Sequence, residues 1–142
     1  MKGPRGPVDD DEGSILILTI GYAVLALVAV LVCANATSLY LAQKQLDSLA
    51  DAAALAGADG FTISVDGTGE PIAALTSDGV RAQAESLVTD VGNGAALLTA
   101  TTPDGLSARV TVAAVWHPPV ITLFVPDGVS LQATATSRTA LR

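Results

Sequence analysis

From Ile15 to Ala34 the chain reads ILILTIGYAVLALVAVLVCA, twenty residues without a charge. Coiled as a helix, such a run spans roughly 30 Å, the thickness of the hydrocarbon core of a bilayer. It predicts a transmembrane helix. A core helix of a soluble protein is an inferior explanation, because such helices average about 10 to 14 residues and this one would need a large protein around it. A cleaved signal peptide is the other alternative, since Ala34-Asn35-Ala36 has the A-x-A form of a cleavage site. Against it, the run exceeds the usual apolar region of about 7 to 15 residues, and the flank before it is acidic rather than basic.

The helical pattern continues past the span. Between Thr37 and Asp59 there is no Pro and the only Gly is Gly57, while Leu, Ala, Gln and Lys are strong helix formers. Leu39, Ala42, Leu46, Leu49, Ala53 and Ala56 follow the a and d positions of a heptad, which predicts a narrow apolar seam. At its end Ala50, Ala53, Ala54, Gly57 and Ala58 would let another backbone come close. The occupant of that seam is either the chain's own domain or a neighbouring subunit.

After Asp59-Gly60 the elements shorten. Phe61 to Val65 alternates as a strand and leads into a loop at Asp66-Gly67-Thr68-Gly69. Val80, Ala84, Leu87, Val88 and Val91 recur at helical spacing, between a start near Ser77 or Asp78 and a stop at Gly92-Asn93-Gly94. Ala96 to Thr102 turns at Pro103-Asp104-Gly105 into Leu106 to Trp116, a predicted hairpin with Ala108, Val110, Val112, Ala114 and Trp116 on one face. Val129 to Arg138 alternates strictly, as expected of an antiparallel strand with one covered side. Between them Pro118 and Pro119 end the preceding strand. Val120, Ile121, Leu123, Phe124 and Val125 then form either a short buried strand or an apolar loop that touches the membrane or a partner.

The predicted organisation is therefore a disordered tail over 1–14, a transmembrane helix over 15–36, an Ala-rich stalk over 37–59 that continues it, and a domain over 60–142 with one helix and an antiparallel sheet. This is an α+β chain on a long N-terminal helix. Half of its residues are hydrophobic and only 15% are charged, which suits a bilayer segment better than a soluble domain of this size. Lys2 and Arg5 precede the span and Lys44 alone follows closely, which places the N-terminus inside and the domain outside.

Composition also narrows the chemistry. The net charge is −7 with no cluster of Lys or Arg, so nucleic acid is not an expected partner. The single Cys33 excludes an internal disulfide. Cys33 follows Val30-Leu31-Val32, without the small residue that precedes an acylated lipoprotein cysteine, and reads as a small hydrophobe inside the helix. His117 has no second ligand type at metal-binding spacing. Asp9 to Glu12 lacks the glycine-bracketed loop of a calcium site, and the glycines of DGTGE do not form a phosphate loop. No catalytic, cofactor or metal site is predicted, and no enzyme.

The blocks DEGSILILTIGYAVLALVAV and SLYLAQKQLDSLADAAALAGA resemble the N-terminal region of TadE/TadG-like proteins of the tight adherence (Flp-type) pilus assembly system. Glu12, Gly13 and Ser14 stand where that family has a charged segment ending in Gly-Ser, and Ala50 through Ala58 match its Ala-Asp-Ala-Ala-Ala-Leu-Ala-Gly-Ala signature. The resemblance implies a pilin- or pseudopilin-like protein of the bacterial cytoplasmic membrane, with pilus or secretion-machinery subunits as partners. Gly13 is the implied processing position. Leu18 occupies the place, five residues on, where a prepilin-peptidase site has Glu, which is closer to the unprocessed TadG-like branch.

Three functions follow as expectations. The first is a membrane-anchored structural or assembly component acting through helix packing, including self-association through the N-terminal helix. The second is a small binding domain released after Ala36 or lipid-anchored at Cys33. The third is a fibre-forming pilin within a surface filament.

Overall fold

The computed structural model describes residues 10–120, 122 and 126–138, with side chains from Gly13 onward. Helix α1 runs Asp10–Asp59. It starts earlier than the expected boundary of the tail: residues 10–14 are helical, and the rest of the expected tail, 1–9, lies outside the described residues. The physical reason is cooperativity, because once a long run has nucleated a helix, each further residue without a proline adds a hydrogen bond at little cost. The last proline before the helix is Pro7.

The chain divides into two compact units, Met1–Thr37 and Ser38–Arg142, and the division falls inside α1. The first unit carries the apolar run. Its side chains from Gly13 to Val30 are all exposed, and the helix is long and apolar enough to cross a membrane. It is hydrophobic all round, the pattern of a helix solvated by lipid.

In the second unit the outer part of α1 is followed by strands β1 (Thr62–Val65) and β2 (Pro71–Ala74), helix α2 (Ser77–Val91), and strands β3 (Ala96–Thr101), β4 (Ser107–Trp116) and β5 (Val129–Arg138). The architecture is α+β, as the alternation of patterns predicts. Strands β1 and β2 form a separate antiparallel hairpin, with Ile63 opposite Ala73 and Val65 opposite Pro71. Strands β3, β4 and β5 form one antiparallel sheet in that order. The expected turn at Pro103-Asp104-Gly105 joins β3 to β4, and Thr101 pairs with Arg109 across it.

Strand β2 has no counterpart in the sequence reading. Its four residues, PIAA, lack alternation, and its proline sits at the first position, where no ladder donor is required. Only pairing with β1 makes it a strand.

One face of the three-stranded sheet is covered. Ala100, Ala108, Val110, Val112, Ala133 and Ala135 point into a core shared with Val80, Ala84 and Val88 of α2 and with Leu46, Ala50, Ala53, Ala54 and Ala58 of α1. The other face is polar: the Thr111 and Thr134 hydroxyls lie 2.8 Å apart, and Arg109 Nε donates to Thr136 Oγ1 at 3.3 Å. Many of these core residues are alanines. Each buried methylene-sized group contributes only about 0.8 kcal/mol, so the core gains from close approach rather than from large side chains.

Candidate functional site

The seam on α1 has an occupant within the same chain. Gly57 is buried, and a Cβ placed on it would meet Val80 Cγ1 at 2.9 Å and Ala108 Cβ at 3.3 Å. One residue beyond the helix end the backbones themselves touch: a Cβ on Gly60 would lie 3.1 Å from the Gly79 carbonyl oxygen, and one on Gly79 would lie 3.0 Å from that of Gly60. The small residues that the sequence marks for close contact thus receive the start of α2 and the start of the central strand of the sheet.

This refines the predicted heptad. The buried positions are Leu46, Ala50, Ala53, Ala54, Gly57 and Ala58, which recur at the helical period of about 3.6 residues, the stripe of a helix lying on a broad core. Leu39, Ala42, Leu49 and Ala56 flank it half-buried. A strict a/d seam would instead suit a single narrow helix partner.

Polar ties hold the upper part of the same face. Trp116 Nε1 donates to Ser38 Oγ at 3.1 Å, and Gln43 Nε2 donates to the Gln132 carbonyl at 3.1 Å. The second bond also engages the free edge of β5, which would otherwise offer unpaired backbone groups. Neither Ser38 nor Gln43 belongs to any periodic pattern, so nothing in the sequence singles them out. Helix α2 begins as expected, with Thr76 as its N-cap accepting from the Gly79 amide at 3.2 Å.

A cleft of about 420 Å³ opens beside these ties. Leu46 and Leu49 of α1, Leu131 of β5 and Trp116 form its apolar wall, and Gln45, Asn93 and His117 stand among its lining residues. His117 is exposed. Among the described residues, no three His, Cys, Asp or Glu side chains come together in a way that could hold a metal ion.

The candidate processing positions Gly13, Cys33 and Ala36 all lie within α1, and Cys33 is exposed. Polar groups of the apolar run turn back on their own helix. Thr19 Oγ1 donates to the Ile15 carbonyl at 2.8 Å and Asn35 Nδ2 to that of Leu31, also at 2.8 Å. Such internal bonding is what a hydrocarbon environment demands of a hydroxyl or amide. Of the apolar loop, Val120 is exposed; Ile121, Leu123, Phe124 and Val125 lie outside the described residues.

Two carboxylates organise turns on the second unit. Asp104 accepts from the Ser107 hydroxyl at 2.6 Å, from the Ser107 amide at 2.6 Å and from the Leu106 amide at 3.0 Å, with Arg138 3.8 Å away. These donors favour the charged form, the Ser107 hydroxyl most, and hold the carboxyl down to about 2. Asp66 is lowered in the same way by the Thr68 hydroxyl and then by the Thr68 amide. Both are turn-forming groups with their acceptor capacity engaged locally.

The structure therefore defines a small α+β domain attached to a helix with the length and composition of a membrane span. Residues 13–60 match the family model of putative Flp pilus-assembly TadE/G-like proteins, the same stretch that carries the resemblance in the sequence. That match and the apolar helix fit a membrane-anchored pilus component. No curated protein matches the chain, and no solved structure does.

Proposed function

We propose that this protein is a structural or assembly component, minor-pseudopilin-like, of a Tad/Flp-type pilus or a related secretion machine. It is held in the bacterial cytoplasmic membrane as a single-pass protein, N-terminus inside and domain outside. The observation that carries this reading is the family match over 13–60, which covers both the apolar span and the alanine-rich end of α1.

The packing of the second unit supports a division of labour along α1. Its alanine-rich inner face is occupied by the chain's own core, so it serves folding. Contacts with other subunits fall to the lipid-facing run, where small residues such as Gly21, Ala26 and Ala29 permit close helix approach, and to the exposed Val120.

A gene deletion in the source bacterium tests the reading. Loss of surface filaments, restored by the full chain but not by one carrying Leu25→Lys and Val28→Lys, is the expected outcome. Each lysine at the centre of a span costs about 2.5 to 3.5 kcal/mol on insertion scales. Filaments unchanged by the deletion would overturn it.

The released-domain reading rests on Ala34-Asn35-Ala36 and on the exposed Cys33. The mass of the mature protein separates the two: a chain beginning at Thr37 or at an acylated Cys33 favours release, and a chain retaining the apolar run favours the anchor. A fibre-forming pilin is the third reading, and sedimentable filaments of the purified chain would select it.

A further inference from the structure

The second unit has two ends along its length, and the one joined to the span exposes aromatic and aliphatic side chains. Strand β4 meets α1 at two places: Trp116 reaches Ser38, and Ala108 lies at Gly57. Between those places the helix advances about 28 Å at 1.5 Å per residue. The strand advances about 26 Å at 3.3 Å per residue, so the two elements run antiparallel and in step. The unit consequently has a Ser38–Trp116 end and a Gly57–Ala108 end.

Both ends carry charge. The Gly57 end gathers Asp59, Asp78, Asp104 and Arg138, the last two paired at 3.8 Å. At the Ser38 end, Tyr40, Leu41, Val115, Val120 and Val129 are exposed at 61%, 54%, 55%, 43% and 40%, beside the half-buried Trp116. The charges near this end are Lys44, whose ammonium sits 5.9 Å from the Tyr40 ring centroid and 3.6 Å from the Asp47 carboxylate, and Asp127, which leaves no net positive charge.

Ser38 lies four residues beyond Ala34, the last residue of the apolar run. Even fully extended, that stretch reaches only about 14 Å. If the run is in the bilayer, the Ser38 end is therefore within reach of the headgroup layer, whatever the arrangement of the two units. Aromatic residues with a polar edge, such as Tyr and Trp, partition into that layer, and exposed aliphatic side chains beside them add to the gain.

From this we infer that the Ser38–Trp116 end of the domain is a second membrane contact, with Tyr40, Val115, Trp116, Val120 and Val129 seated in the lipid headgroup region. The inference rests on the anchored reading above. The absence of net positive charge makes the contact one of partition rather than attraction to anionic lipid, so it persists in high salt.

The chain holds one Trp and one Cys, which allows both contacts to be read in the same molecule. The full-length protein, with Cys33 carrying an environment-sensitive fluorophore, is reconstituted in phosphatidylcholine vesicles. A proportion of the lipid is brominated either high on the acyl chain or deep within it, bromine quenching only on near contact. The expected result is loss of Trp116 emission with the shallow bromines, unchanged by high salt, and loss of the Cys33 signal with the deep ones. Quenching at Cys33 with none at Trp116 would overturn the second contact and leave the anchor standing. Quenching at neither position would overturn the anchor and this inference with it.

Discussion

Ser38 and Trp116, 78 positions apart, are joined by a 3.1 Å hydrogen bond from the indole nitrogen to the serine hydroxyl. The bond ties the end of β4 to the first turn of α1 in the second unit, next to the point where the apolar run ends. A double-mutant cycle reads its contribution. Ser38→Ala and Trp116→Phe should each lower stability, with a coupling of about 0.5 to 1.5 kcal/mol, the usual net worth of such a bond. Additive effects of the two substitutions, measured by chemical denaturation, would show that the bond contributes nothing.

Gly57 has no room for a side chain, because Val80 and Ala108 already occupy the space. Gly57→Leu should destabilise the domain by about 1 to 3 kcal/mol through overpacking. Leu55→Ala, on the exposed side of the same helix, should stay within about 0.5 kcal/mol. Thermal unfolding of both variants checks the contrast, and equal melting temperatures would contradict the packing.

Ala53 is fully buried in the same core. Ala53→Glu should therefore unfold the domain rather than selectively block contacts between subunits, since it buries a carboxylate without a partner. Circular dichroism of the variant distinguishes the two: native spectra combined with lost assembly would mean that the alanine face serves another subunit.

Asp104 makes acid stability depend on one turn. Its folded carboxyl is held at about 2, below the ordinary value of 3.8, so the native state binds its proton less readily than the unfolded chain. The stabilisation is complete above pH 4 and is lost as pH falls from about 4 to about 2. In Asp104→Asn that contribution is absent at every pH, and the decline of stability across this window should be shallower than in the unaltered protein. Parallel curves would refute the assignment.

Local patterns made most of the elements legible in the sequence. Strict alternation marked β5 to its ends, and helical spacing between a cap and Gly92-Asn93-Gly94 marked α2. The failures share a cause. Strand β2 exists only through its pairing with β1, and Ser38 and Gln43 acquire their importance from residues distant in the chain. The alanines of α1 announced that something would approach closely, but composition could not identify what approached. Their true spacing, 3.6 rather than 3.5, follows from a broad core that lies outside the helix itself.

The most direct test of the account is whether the intact chain is held in a membrane. Membranes from cells producing the full-length protein are washed with alkaline carbonate, and the pellet and supernatant are analysed by mass spectrometry. The predicted result is a chain retaining residues 15–36, confined to the pellet and released only by detergent. Full-length protein in the carbonate supernatant would contradict the membrane anchor and the function built on it.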